Sequence, residues 1–139
     1  MALLPIKMYG NPVLREKSRE VELEEINEEF RQLMQDMAET MYEAAGIGLA
    51  ANQVGETRRF FVADWAQAEE TKRRGAKRAK DPKRRELHIF LNPEIIEASM
   101  EDEEGNEGCL SIPEVEGDVY RPKRVRIRYR NLDWEEKEM

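Results

Sequence analysis

Between Glu24 and Ala45 the apolar residues Ile26, Phe30, Leu33, Met34, Met37, Ala38, Met41 and Tyr42 fall three and four apart, forming one stripe of an amphipathic helix. Glu28, Arg31, Gln32, Gln35 and Glu39 occupy the other side, and the acidic start suits the positive end of the helix dipole. Methionines at this spacing read as core rather than as an adaptable binding face. Gly46 is expected to stop the helix by taking the left-handed cap conformation. One long helix needs strands to cover its apolar stripe, and β-type runs at Arg58 to Trp65, Leu87 to Leu91, Glu94 to Met100 and Val125 to Tyr129 supply them. In the last run Val125, Ile127 and Tyr129 alternate with Arg124, Arg126, Arg128 and Arg130, predicting one buried and one wet face.

Turns are expected at Asn92-Pro93, Glu101 to Gly105, Ile112-Pro113 and Asn131 to Glu135, and Val13 to Val21 reads as irregular loop. A strand returning from Asn131 to Glu135 would only begin at Met139. The fold class is therefore α+β, with mixed, mainly antiparallel sheets packed around the helix. At 139 residues the expectation is a single domain, 1–139.

A single cysteine excludes an intrachain disulfide, and no apolar run reaches the length of a signal sequence or membrane span. The expected setting is the cytoplasm, with no membrane partner. Net charge is −7, yet Lys72 to Arg85 alone carries +8, which leaves −15 on the rest. Residues 67–86 read as a charged surface insertion. Its basic cluster could meet RNA phosphates, as on a ribosome, or could simply be solvated; no aromatic is interleaved for base stacking.

Two stretches carry candidate chemistry. In Gly46-Ile47-Gly48-Leu49-Ala50-Ala51-Asn52-Gln53, small residues let backbone lie against a ligand and the neutral Gln53 amide can donate to an oxyanion. A tight helix-to-strand turn accounts for the same residues. In Glu107-Gly108-Cys109-Leu110-Ser111 the only thiol sits behind a glycine, beside a carboxylate and a hydroxyl. Its thiolate would suit a borderline or soft divalent cation; a lone cysteine is otherwise an inert small hydrophobe.

Together and in this order the two stretches resemble the first two of three signature motifs of peptide deformylases. The helix ending Glu39-Thr40-Met41-Tyr42 and the strand after Tyr120-Arg121-Pro122 are similar to that family in kind and order. The resemblance implies metal-dependent removal of the formyl group from the N-terminal methionine of nascent polypeptides, natively often with Fe2+, with Zn2+, Ni2+ or Co2+ as alternatives. It implies Cys109 as thiolate ligand and Gln53 with the Leu110 amide as oxyanion donors. Gly48 and Gly108 would lie along the peptide, and Ile47 would line the methionine pocket. Glu107 would be a carboxylate behind the metal ligands, ion-paired with Arg121.

The family's third motif, His-Glu-x-x-His on a helix, supplies two metal ligands and the general base, and these residues do not contain it. His88, alone on an expected strand, reads as a core or edge residue. Metal binding by this chain alone is thus expected to be weak and the chain alone inactive. Three accounts follow: a C-terminally incomplete deformylase lacking its catalytic helix, a split enzyme completed by a separate segment, or a non-catalytic relative binding peptide N-termini. A small α+β interaction protein with a structural cysteine is the reading from another class.

Overall fold

The structure, a computed structural model, describes residues 3–66 and 85–139. Most of the charged insertion thus lies outside the described residues. Helix α1 spans Glu28–Glu43, and the strands are β1 Gly48–Ala50, β2 Phe60–Ala63, β3 His88–Ala98, β4 Asp102–Cys109, β5 Ile112–Pro122, β6 Val125–Arg130 and β7 Glu136–Glu138. Five form one antiparallel sheet in the order β1-β2-β3-β6-β7, and β4 pairs with β5 as a separate ribbon. The α+β architecture of mainly antiparallel strands around one amphipathic helix is the one expected.

The expected stripe does become core: Phe30, Met34, Met37 and Met41 of α1 bury against Leu49, Phe60, Val62 and Leu91 of the sheet. Phe30 meets Phe60 edge-on, with ring centroids 5.3 Å apart. On the other face of the sheet Phe61 stacks on Phe90 at 4.6 Å and Tyr129 tilts onto Phe90 at 4.5 Å. His88 lies flat on Trp65 at 4.5 Å. It is a packed residue of β3.

Several expectations need correction. The helix begins four residues later than expected because Asn27 caps it, its Oδ1 accepting the Phe30 N–H at 2.9 Å. Leu23–Glu25 form a separate 3-10 turn, stabilised by the Glu22 N–H donating to Glu25 Oε1. At the other end the left-handed residue is Ala45, with φ 57°, not Gly46. The Gly46 N–H donates to Met41 O and the Ala45 N–H to Tyr42 O, the two bonds of a Schellman cap.

Asn92-Pro93 is no turn. The strand runs through it as a bulge, with Asn92 at φ 51°, and the Asn92 amide makes paired bonds of 2.7 and 2.8 Å with the Val21 backbone. That clamp buries Val21, so the segment read as irregular loop joins the core. Glu101 to Gly105, also expected as a turn, mostly belongs to β4, and the turn proper is Leu110-Ser111. The returning strand does not await Met139. It is β7, paired with β6, and Met139 exchanges backbone bonds with Ile127. Of the face expected to be buried on β6, Ile127 and Tyr129 are half-buried, but Val125 is exposed.

Asp64, buried at the end of β2, accepts from the Tyr42 hydroxyl at 2.6 Å, the Ala66 N–H at 3.1 Å and the Glu86 N–H at 2.7 Å. Arg85 lies over the Tyr42 ring at 4.1 Å and pairs with Glu39 at 2.9 Å. Burial, with the Asp64 carboxylate, pushes the Tyr42 phenol well above the ordinary tyrosine value.

An alanine in the left-handed region carries a steric penalty that glycine lacks. Ala45→Gly is expected to stabilise the fold by about 0.5–1 kcal/mol. The measurement is the denaturant midpoint at unchanged slope, and a lower midpoint would contradict the cap geometry.

Candidate active site

The Schellman cap turns the chain out of α1 and straight into β1. Gly46 lies close under Leu110: a Cβ there would stand 2.7 Å from Leu110 Cδ1, the free end of that side chain. Ile47 follows, 44% exposed, its carbonyl accepting the Asp64 N–H at 2.8 Å. Gly48 opens β1 opposite Ala63. Beyond β1, Ala51–Val54 make a 3-10 turn that Gly55 ends at φ 89°.

This turn brings Gln53 back toward its own strand. Gln53 Oε1 accepts the Ala50 N–H at 2.9 Å, which settles the direction of the amide, because only its oxygen can accept. The Nε2 end therefore faces the hairpin, 3.1 Å from Ser111 Oγ and 3.5 Å from Cys109 Sγ. Lys7 N–H holds the Gln53 carbonyl at 2.7 Å, and Tyr9 N–H holds the Ser111 carbonyl at 2.8 Å.

Cys109 ends β4, directly before the Leu110-Ser111 turn, and its thiol is free and exposed. A greasy interior is not its setting. Leu110 packs its side chain on the core while its N–H, on the turn, has no backbone acceptor among the described residues. Gly108 lies opposite Glu116, just before the register shift that precedes Cys109. Glu107 of β4 and Arg121 of β5, which stand opposite Gly117 and Glu103 in the register, reach along the ribbon to form a two-bonded ion pair at 2.7 Å for each bond. Those hydrogen bonds hold the Glu107 carboxyl below its ordinary value. His88 belongs to the sheet face of Trp65 and Phe90, not to this cluster.

Two motifs 56 residues apart thus meet at one amide and one thiol. Residues 3–139 match the family model described as polypeptide deformylase. The chain belongs to that family. The peptide deformylase of Salinibacter ruber is 46% identical over 138 residues, covering 99% of this chain and 67% of the relative. That of Fusobacterium nucleatum is 44% identical over 126 residues, covering 91% and 63%. Among solved structures, the Thermotoga maritima peptide deformylase superposes with a TM-score of 0.82 at 34% identity, covering 99% of this chain and 80% of that one. An Acinetobacter baumannii class I type b peptide deformylase bound to Met-Ala-Ser gives a TM-score of 0.83 at 31% identity, covering 99% and 82%.

Deformylases are metal-dependent hydrolases, so the donor set matters. Among the described residues no three of His, Cys, Asp or Glu come together in a cluster able to hold a metal ion. Cys109 is one sulfur donor, and Glu107 is engaged by Arg121. By themselves these groups do not make a metal site.

Sequence reasoning missed the supports of Gln53. Ser111 was noted only as a motif member, although a small polar residue between Leu110 and Ile112 is a signal for a buried hydroxyl with a partner. The Lys7 and Tyr9 contacts are made by backbone and leave no side-chain signal.

Gly46→Ala is expected to make Leu110 Cδ1 shift and to cost no more than about 1 kcal/mol, because the atom met is the free end of a flexible side chain; chemical denaturation reads the difference. A loss of several kcal/mol would mean that Leu110 cannot give way. Arg121→Met should let the Glu107 carboxyl rise back toward its ordinary value. With Arg121 in place the ionised form is favoured, so the pairing persists to lower pH than an unshifted glutamate would allow. A carboxyl carbon NMR titration of both proteins reads the difference, and coincident curves would remove the pair from solution.

Proposed function

We propose that this chain supplies the oxyanion-holding and peptide-binding part of a deformylase site. Its reaction is hydrolysis of the formyl group on the N-terminal methionine of nascent polypeptides, with water cleaving the C–N bond to give formate and a free amino terminus. The observation that carries this reading is the Gln53 amide, fixed with its nitrogen toward Ser111 and Cys109; the Leu110 N–H, on the turn between those two residues, would be the second donor. Both donors are neutral, so they can stabilise charge developing on the formyl oxygen without strongly favouring a bound anion beforehand.

The peptide would add along β1, which is an edge strand of the five-stranded sheet. Gly48 there and Gly108 on the ribbon would let its backbone approach closely. Ile47, partly exposed, would meet the methionine side chain. The Acinetobacter relative bound to Met-Ala-Ser supports a ligand with an N-terminal methionine.

Cys109 would give a divalent cation one thiolate, with Fe2+ as the proposed ion and Zn2+, Ni2+ or Co2+ as substitutes. The remaining ligands and the general base would come from a complementing His-Glu-x-x-His segment. The setting would be the cytoplasm, and the basic run Lys72 to Arg85 would meet ribosomal phosphates.

On a formylmethionyl peptide the chain alone should be inactive, with turnover appearing when the complementing helix is fused or added. In that complemented protein Gln53→Ala should lower kcat by about 10²–10³. Full turnover by the chain alone, or tight stoichiometric metal in it, would overturn the shared-site reading.

A further inference from the structure

We infer that Ser111 is the positioning residue of the oxyanion donor: its buried hydroxyl fixes the Gln53 amide so that the second N–H of Nε2 faces the space beside Cys109. The inference builds on the deformylase reading but stands on its own geometry. A glutamine side chain has three torsions and gives up about 1–2 kcal/mol of rotamer freedom when held still. Ala50 N–H restrains the oxygen end, but a single bond leaves the amide plane free to swing about it. Ser111 Oγ, 3.1 Å from Nε2, supplies the second point. With one of the two N–H groups given to that oxygen, the other is directed to Cys109 Sγ, 3.5 Å from Nε2, the side on which a ligand of that thiol would stand.

The hydroxyl can serve as a reference point because the residue carrying it is immobilised. Ser111 is only 3% exposed, sits in the two-residue turn between β4 and β5, and has its carbonyl held by the Tyr9 N–H. Two residues earlier the Lys7 N–H holds the Gln53 carbonyl, so one short stretch of backbone ties the main chains of both residues. The side-chain bond spans residues already fixed relative to each other. Its consequence is orientation of the amide rather than assembly of the fold.

The test is nitrogen–proton NMR of the Gln53 side-chain amide in the full chain, without metal or substrate. In the unsubstituted protein one Gln53 Hε2 proton should show a cross-peak to the Ser111 β-protons, and the two Hε2 protons should differ in shift. Ser111→Ala should speed exchange of that amide by about two- to tenfold, the worth of one neutral hydrogen bond, while backbone amides of β4 and β5 keep their protection. Ser111→Thr, which keeps the hydroxyl, should restore the slow exchange.

Absence of the cross-peak, or an unchanged Gln53 amide in Ser111→Ala, would overturn the assignment. In the complemented enzyme Ser111→Ala should lower kcat with KM nearly unchanged. If the amide loosens and kcat holds, the oxyanion role of Gln53 fails while its positioning by Ser111 stands.

Discussion

A primary carboxamide offers hydrogen-bond acceptance at one end and donation at the other with no net charge, and the candidate site is built on that asymmetry at Gln53. The oxygen takes a backbone N–H from Ala50 and the nitrogen is left to face Ser111 and Cys109. Glutamate would bring a negative charge beside the Cys109 thiol and would lose the donor. Methionine would fill the space and leave the Ala50 N–H and Ser111 hydroxyl without this partner. The length of glutamine also matters, because the side chain must fold back onto its own turn and still reach another element.

What keeps both ends of that amide in register is the packing beneath it. The methionine stripe of α1 buries Leu49 of β1, so the strand leading to Gln53 is held from below. Leu110, seated on the same core and over Gly46, holds the hairpin carrying Cys109 from above. Glu107 and Arg121 contribute differently. Their side chains are 43% and 66% exposed, where ion pairs add little stability. Their pairing instead fixes a carboxylate's direction two residues from the thiol.

The helix, β2 and the arginine strand β6 were legible because burial on one side imposes a period, and the two motifs were legible as combinations of residues. The ribbon was not. Asp102–Cys109 is exposed throughout, so its strand carries no apolar alternation and its acidic residues imitate a turn. β7, Glu136–Glu138, is equally silent: its side chains are exposed, and pairing with β6 defines it. Ala45 and Asn92 adopt left-handed angles that composition would assign to neighbouring glycine or to a turn. At Ala45 the hydrogen bonds of the cap decide, while the glycine one position later lies close under Leu110. Gln53 and Cys109 could be nominated from sequence, but their distance from each other depends on Lys7, Tyr9 and Ser111, whose contribution is mostly backbone.

Between Ala63 of β2 and His88 of β3 the chain leaves and re-enters two adjacent strands whose register must be kept. β2 and β3 pair from Ala63 with His88 onward, and Asp64 stands at that boundary. Its carboxylate accepts an N–H from Ala66, just after β2, and from Glu86, just before β3, so the end of one strand and the approach to the next meet at one buried group. A buried carboxylate costs stability unless its oxygens are satisfied, and the Tyr42 hydroxyl from α1 adds a third bond. Arg85 then covers the phenol and pairs with Glu39, closing the stem against the helix. Held in this way, the sheet keeps β1 beside β2 at the register that places Gly48 and, three residues past the strand end, Gln53.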